Sequence, residues 1–211
     1  MSTTVYFDLD GTLIGYGRSF TDLLEEVIGM EVTEEIDGFW TDQILNNLEE
    51  QVEDPYLEGF KALNREFNIE KDPDKLTRDY ISTEVEATHT NQRLVELLEE
   101  LTNHCKVGIL TNGDGKVQME KVEQHKLQEK VDEVIVSNEV GVRKPDLEIF
   151  EIAKKRLTAE KYVYIGDTHD EDIIPAKEAG FQTIYISGEQ EADIQTTDPE
   201  TLGEALLNLI K

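Results

Sequence analysis

The sequence predicts an α/β protein in which a parallel β-sheet is covered by helices on both faces, with a helical segment inserted after the first strand. Two observations lead to this prediction. Short apolar runs typical of buried strands alternate with helical patterns along most of the chain, which is the arrangement of right-handed βαβ units. Residues 15–89 interrupt that alternation, because they contain helical patterns and turn signals but no convincing strand.

The core elements follow from the spacing of apolar residues. Residues 3–8 form an apolar run that leads into an acidic loop, as a buried strand would. Residues 91–103 predict a helix, since their leucines recur at the spacing of one helix face. A last helix is expected to begin with Asp198 as N-cap and Pro199 at its first position. The remaining strands are predicted at 105–110, 132–137, 161–165 and 182–186, and the remaining helices at 115–126, 146–157 and 171–179.

The inserted segment divides the chain into two predicted units. Residues 1–14 and 90–211 form the α/β core, and residues 15–89 form the insert. Turn signals such as Asp54-Pro55 separate the helical patterns of the insert. Two connections join the units, and we expect them to act as a hinge. The helices of the insert are predicted near 19–29, 33–49, 54–67 and 73–87.

The composition limits the class of partner. The 211 residues fit one domain with a modest insert. Asp and Glu number 47 against 20 Lys and Arg, which gives a net charge of −27. This charge argues against a nucleic-acid duplex or an anionic membrane as partner, because phosphate binding depends on Lys and Arg. We interpret the acidic residues as a solvated surface and hypothesise a salt-rich host cytoplasm, where salt screens the repulsion.

Cysteine content and the absence of targeting signals predict a cytoplasmic protein. The single cysteine, Cys105, excludes a disulfide framework and fits a reducing compartment; it is expected to pack in a strand. No run approaches the roughly 18 apolar residues of a membrane span. The first residues lack the basic and apolar regions of a signal peptide. The oligomeric state is left open.

An acidic pair follows the first predicted strand, in the sequence Asp8-Leu9-Asp10-Gly11-Thr12. Alternation along a strand places Asp8 and Asp10 on the same side, where they repel each other unless a cation or a proton intervenes. Such a pair suits one carboxylate acting as nucleophile and metal ligand while the other handles a proton. The alternative is two solvated acids in a loop.

Two further polar groups follow the next strands. Thr111 and Asn112 come directly after the second core strand and offer neutral donors for a phosphate oxygen, although a plain loop is an alternative. Lys144 precedes Pro145, which would present its ammonium group rigidly to a phosphoryl group or to carboxylates; a surface lysine is the alternative. The chain contains neither GxGxxG nor GxxxxGK[ST], which disfavours a dinucleotide site and a nucleotide-driven motor.

A second acidic cluster, residues 166–172, follows the fourth core strand. Hard Mg²⁺ takes oxygen ligands, usually one or two carboxylates with waters and a substrate phosphate. Asp167 at the strand end and Asp172 in the first helical turn are the best candidates. Helix capping alone could explain Asp172 and its neighbours Asp170 and Glu171, but it does not explain Asp167.

These clusters each follow a different strand, so a parallel sheet brings them to one carboxyl edge, where α/β proteins bind ligands. The acid pair, the threonine, the lysine before proline and the motif GDxxxxD, in that order, resemble the haloacid dehalogenase-like hydrolase superfamily over the entire chain. The insert resembles the helical cap that this superfamily carries early in the chain. Glu171 departs from the pattern, since many relatives have Asn there, and this leaves the hydrogen bonds around the motif in doubt.

The resemblance implies a Rossmann-like core and a phosphatase that acts on a small phosphorylated metabolite. It implies that Asp8 attacks phosphorus to form an aspartyl-phosphate and that Asp10 protonates the leaving oxygen and then takes a proton from water. It further implies that Mg²⁺ is the cofactor and that Thr111, Asn112 and Lys144 bind the phosphoryl oxygens. The implied metal ligands are Asp8, the backbone carbonyl of Asp10, Asp167 and, directly or nearby, Asp172.

Alternative functions stay open at this point. Superfamily members that cleave carbon–halogen bonds lack an acid at the position of Asp10, so its presence favours phosphate chemistry, but a phosphomutase would use the same pair. Receiver domains of signalling proteins also carry an acidic cluster, a phosphorylated Asp, a Thr and a Lys, yet they are shorter and have no helical insert. Phosphoglycolate, sugar phosphates and nucleoside monophosphates are all possible substrates.

Other residues receive weaker predictions. Tyr16 and Arg18 closely follow the acid pair and are candidates to face the site. Phe39 and Trp40 could also face the site, but they are expected in the core of the insert. His169 could contact substrate, but it is expected to be an exposed residue at a helix start.

Overall fold

The computed structural model describes residues 2–187, 194–195 and 199–210. The predicted N-cap Asp198 lies outside the described residues. Within them, no helix is long and apolar enough to cross a membrane.

The centre of the molecule is a parallel β-sheet whose first strand, β1 (Thr3–Phe7), lies in the middle. Its neighbours are β4 (Lys106–Thr111) and β6 (Lys161–Gly166), both parallel to it. The outer strands are β5 (Glu133–Val136) beyond β4, then β7 (Gln182–Tyr185) and β8 (Ile194–Gln195) beyond β6. All residues of β1 are buried, because helices cover both faces of the sheet. The predicted α/β class is confirmed.

Alternate residues of the strands enter two separate apolar layers. Val5 and Phe7 point to one face, where they pack with Leu98 and Leu101, and Tyr6 points to the other, where it packs with Phe150. The helices of these layers are α5 (Gln92–Leu101), α6 (Gly115–Gln124), α7 (Ser137–Val140), α8 (Leu147–Arg156), α9 (Ile174–Glu178) and α10 (Pro199–Ile210). The short helix α7 was not predicted, and its first residue lies where a strand end was expected.

The insert contains the four predicted helices. They are α1 (Phe20–Ile28), α2 (Glu34–Glu49), α3 (Pro55–Phe67) and α4 (Pro73–Glu86). Each begins at a side chain that accepts a backbone hydrogen bond from the first turn, in order Ser19, Thr33, Asp54 and Asp72. The helices enclose an apolar cluster of their own, which is built around Trp40, Phe60 and Tyr80.

The prediction that the insert contains no strand is wrong at its two ends. Strands β2 (Ile14–Tyr16) and β3 (Thr88–Thr90) form an antiparallel pair in which Gly15 is opposite His89. Three-residue strands are too short to produce a recognisable alternation in the sequence. The two connections between core and insert therefore lie side by side, and we retain the division at residues 15–89 as a proposal.

The second acidic cluster also differs from its predicted helix. The helix expected at 171–179 is a π-helical turn, His169–Ile173, followed by α9. A side-chain hydrogen bond accompanies the wide turn, because Asp172 Oδ2 accepts the backbone N–H of Thr168 at 3.0 Å. The turn directs the Asp172 carboxylate back toward the end of β6.

Candidate active site

Three of the predicted residues meet at the carboxyl edge of the sheet. Lys144 Nζ donates to Asp8 Oδ1 at 2.7 Å and to Asp172 Oδ1 at 2.5 Å. All three side chains are at least nine-tenths buried. Burial by itself lowers the pKa of Lys144, but the charges of Asp172 and Asp8 outweigh it and hold that pKa well above its ordinary value. Lys144 is therefore a fixed cation at the end of β1.

Carboxylate oxygens of Asp8, Asp167 and Asp172 all lie within 4.8 Å of one another. Burial raises the pKa of Asp8 well above its usual range, Lys144 opposes that effect, and the charge of Asp172 adds to it. Burial and the charge of Asp172 also raise the pKa of Asp167. Carboxylate oxygens are the hard donors that Mg²⁺ takes, and a cation would relieve the repulsion among the three charges, so these residues fit Mg²⁺.

The loop after β1 leaves space for this group of carboxylates. Gly11 has φ +80°, and a Cβ on it would lie 2.1 Å from Asp167 Oδ2. A side chain at this position would therefore displace Asp167. Thr12 holds the same carboxylate from the other side, because its hydroxyl donates to Asp167 Oδ1 at 3.3 Å. Gly11 thus leaves room for the Asp167 carboxylate, and Thr12 holds that carboxylate in place.

Asn112 positions the loop that carries Lys144. Its Oδ1 accepts the backbone N–H of Lys144 (2.9 Å), and its Nδ2 donates to the Lys144 carbonyl (3.0 Å) and to Glu171 Oε2 (3.0 Å). Arg143 donates to the other oxygen of Glu171 at 3.3 Å. Glu171, which departs from the family pattern, is therefore part of the connection between β4, β6 and the Lys144 loop.

Asp10 has different partners from Asp8. Its carboxylate accepts hydrogen bonds from Gln118 Nε2 (2.7 Å) and the Tyr16 hydroxyl (2.9 Å), and Lys121 Nζ lies 3.2 Å away. Gln118 Nε2 also donates to the buried hydroxyl of Thr111 at 2.8 Å. The carboxylate of Asp10 lies outside the group of three, which leaves its predicted metal contact to its backbone carbonyl.

Lys121 and Glu84 are buried residues of this site that the sequence reasoning missed. Lys121 Nζ lies 2.9 Å from Glu84 Oε1, and both side chains are 3% exposed. Burial alone lowers the pKa of Lys121, but Glu84 and Asp10 outweigh it and raise that pKa. Glu84 also accepts from the hydroxyl of Tyr56 (3.2 Å), and the oxygen of the Tyr16 hydroxyl lies 3.3 Å from Glu84 Oε1. Since Glu84 belongs to α4 and Lys121 to α6, the pair joins the insert to the core.

A signal for Glu84 was present in the sequence. Tyr80, Ile81, Glu84 and Val85 occupy one face of α4, so an acid lies within an apolar stripe, where it needs a buried partner. Lys121 gives no comparable signal. Its spacing from Gln118 places both on one side of α6, but such a pair is equally typical of a solvated helix face.

A cavity of about 440 Å³ lies between the insert and the core beside Asp10. The predicted candidate Tyr16 lines it, as does Trp40, for which the core of the insert was the favoured prediction. Arg18 does not line it and pairs with Glu26 (2.8 Å). His169 is half-buried, and the expectation that it is exposed is wrong, because the Tyr185 ring covers it with the two ring centroids 6.0 Å apart.

The fold and the site define an α/β protein with a buried carboxylate centre under a helical insert. Comparison with known families identifies it further. The model of the haloacid dehalogenase-like hydrolase family matches residues 5–186, and the chain belongs to this family.

Individual relatives agree with this assignment. The chain is 28% identical over 197 residues to the pyrimidine 5'-nucleotidase YjjG of Escherichia coli, which covers 87% of this chain and 85% of that protein. It is 32% identical over 190 residues to a glyceraldehyde 3-phosphate phosphatase of Methanocaldococcus jannaschii, covering 86% and 83%. Among solved structures, the magnesium-bound HAD-hydrolase YfnB of Bacillus subtilis has the same fold, with a TM-score of 0.71, 21% identity and coverage of 97% and 98%.

Proposed function

We propose that this hydrolase is a Mg²⁺-dependent phosphatase that cleaves a small phosphorylated metabolite through an aspartyl-phosphate on Asp8. The observation that carries the proposal is the separation of two carboxylates. Asp8 is bound to Lys144 beside Asp167 and Asp172, and Asp10 is bound to Tyr16, Gln118 and Lys121. The phosphatase and nucleotidase activities named for the two relatives support the same class of substrate.

The first step uses Asp8 as the nucleophile. The Asp8 carboxylate attacks phosphorus, the ester P–O bond breaks, and Asp10 gives its proton to the leaving oxygen. Lys144 lowers the pKa of Asp8 against the burial that raises it, and Lys144 and Thr111 bind the phosphoryl oxygens. Mg²⁺, held by Asp8, Asp167, the Asp10 carbonyl and Asp172, would supply positive charge to the phosphoryl group.

The second step uses Asp10 as a base. Its carboxylate takes a proton from water, the water oxygen attacks phosphorus, and the bond between Asp8 and phosphate breaks. Lys121, 3.2 Å from Asp10, stabilises the negative carboxylate that Asp10 has become after protonating the leaving oxygen in the first step. Burial and the charges of Asp10 and Glu84 raise the pKa of Tyr16, so its hydroxyl remains a donor to Asp10.

The direct test is hydrolysis of an aryl phosphate with and without Mg²⁺, measured in low and high salt. We expect steady turnover that requires the cation, loss of that turnover in Asp8→Asn, and a decrease of about 10²- to 10⁴-fold in Asp10→Asn. Asp170→Asn is the matched control, because the Asp170 side chain is 88% exposed in the loop between Asp167 and Asp172. A single stoichiometric phosphorylation without turnover would instead indicate a signalling switch. Full activity of Asp10→Asn would refute the acid–base assignment.

A further inference from the structure

The cavity beside Asp10 has an aromatic and aliphatic wall that comes mainly from the insert. The apolar residues of that wall are Tyr16, Phe20, Trp40, Ile44, Leu45, Leu48, Tyr56 and Tyr80. The volume of about 440 Å³ lies within the roughly 300–1,000 Å³ of small-molecule sites. The wall begins at the proposed acid, because the Tyr16 hydroxyl binds Asp10 and its ring lies 4.8 Å from the ring of Phe20. A leaving group that accepts a proton from Asp10 would therefore lie against this wall.

Two apolar side chains of the wall are only half covered. Phe20 is 51% exposed and Leu45 is 49% exposed, and they belong to different helices of the insert. Their position on one cavity distinguishes them from Leu147, which has a similar exposure of 39% but does not line it. A flat ring placed in the cavity would cover both side chains and gain the favourable free energy of apolar burial.

The charges around the cavity exclude a second anion. Its acidic lining residues are Asp10, Glu84, Asp114 and Asp167. Among the described residues, Lys121 is the only cation of the lining, and it is already paired with Glu84 at 2.9 Å and Asp10 at 3.2 Å. A carboxylate or a second phosphate in the leaving group would find no additional cation there and would be repelled by the acids.

We infer that the substrate is a phosphate monoester whose leaving group is uncharged and carries a planar ring, with the dimensions of a nucleoside. This inference rests on the proposed phosphatase function and specifies its substrate class. It separates the open candidates, because phosphoglycolate and sugar bisphosphates bring a second anion, and a simple sugar phosphate has no ring system to cover Phe20 and Leu45.

The kinetic test compares uridine 5'-monophosphate, ribose 5-phosphate and phosphoglycolate. We expect kcat/KM for the nucleotide to exceed that for ribose 5-phosphate roughly 10-fold or more, as one base–aromatic stack does, and phosphoglycolate to be the poorest. Phe20→Ala and Leu45→Ala should lower kcat/KM for the nucleotide by a larger factor than for ribose 5-phosphate, and an equal loss on both substrates would contradict the inference. Leu147→Ala, an exposed leucine outside the cavity, is the matched control. Equal or better turnover of ribose 5-phosphate or phosphoglycolate would overturn the inference.

A binding test separates failure of this inference from failure of the proposed function. Trp40 is the single tryptophan of the chain and lines the cavity, so its fluorescence reports what enters. In Asp8→Asn, we expect saturable quenching by uridine 5'-monophosphate and none by ribose 5-phosphate at the same concentrations. If an aryl phosphate is hydrolysed but the nucleotide does not change the fluorescence, the inference is wrong and the phosphatase proposal stands. If no ester is hydrolysed but the nucleotide quenches, the phosphatase proposal is wrong and the cavity assignment stands.

Discussion

Replacing Lys121 with methionine should destabilise the protein strongly, because it leaves Glu84 buried without its cation. Methionine keeps most of the volume of the lysine stem, so the main loss is the charge. Both side chains of the pair are 3% exposed, and solvent screens them little. Removing one partner of a buried ion pair costs about 3–5 kcal/mol. The hydroxyl of Tyr56 still donates to Glu84, so we expect the lower end, about 3 kcal/mol.

Substitution of Glu84, alone and together with Lys121, measures how much of this free-energy cost comes from the interaction between the two residues. Glu84→Gln keeps an acceptor and leaves Lys121 with Asp10, whose side chain is 30% exposed, so the expected cost is smaller, about 2 kcal/mol. The double variant removes both charges. It should cost less than the sum of the single variants by at least about 1 kcal/mol.

Urea unfolding followed by Trp40 fluorescence, at one salt concentration, measures these free energies. Because the folded protein raises the pKa of Lys121, its stabilising effect is complete below the lysine pKa of the unfolded chain, near 10.4, and is lost as pH rises through the folded pKa. The difference between wild type and Lys121→Met should therefore be constant at neutral pH and decrease above about pH 10. A Lys121→Met protein within about 0.5 kcal/mol of wild type, or additive single variants, would refute the role of the pair.

Three further predictions concern the metal site and the surface. Gly11→Ala should reduce Mg²⁺ affinity at least about 10-fold in calorimetric titration, because the new Cβ displaces Asp167. Gly38→Ala is the control, since no atom lies within 4 Å of its Cβ, and it should leave the Mg²⁺ affinity unchanged. Mg²⁺ affinity of the wild type should decrease as pH falls through the raised pKa of Asp8, because the proton competes with the cation; pH-independent affinity would contradict this. The thermal midpoint should rise from dilute buffer to about 1 M KCl; equal midpoints would refute the hypothesis of a salt-rich host.

The parts of the fold and site that depend on local pattern were predictable. The apolar runs of β1, β4 and β6 place Asp8, Thr111 and Asp167 at one edge, and the parallel order follows from the helices between them. The ribbon of β2 and β3 was not predictable, because its three-residue strands pair with each other across more than 70 residues of sequence and show no alternation of their own. The Glu84–Lys121 contact is likewise a product of tertiary packing between helices far apart in sequence.

The exposed surface of the cavity lies beyond what a sequence pattern can indicate. Phe20 and Leu45 belong to helices whose other apolar residues pack inside the insert, and periodicity alone does not say which side chain remains uncovered. Trp40 packs in the insert as expected, and it also lines the cavity. The sequence pattern does not show that one side chain does both. Substrate selectivity therefore depends on three-dimensional details that the motifs do not contain.

The stereochemical course at phosphorus tests the central claim, attack by Asp8, most directly. A thiophosphate ester made chiral with two oxygen isotopes and hydrolysed in water of the third isotope reports how many in-line displacements occur, and so does an isotopically chiral phosphate ester whose phosphoryl group is transferred to an acceptor alcohol. Each displacement inverts phosphorus, so attack by Asp8 followed by attack of water or alcohol predicts net retention. Net inversion would show that water attacks the ester directly and that Asp8 forms no bond to phosphorus.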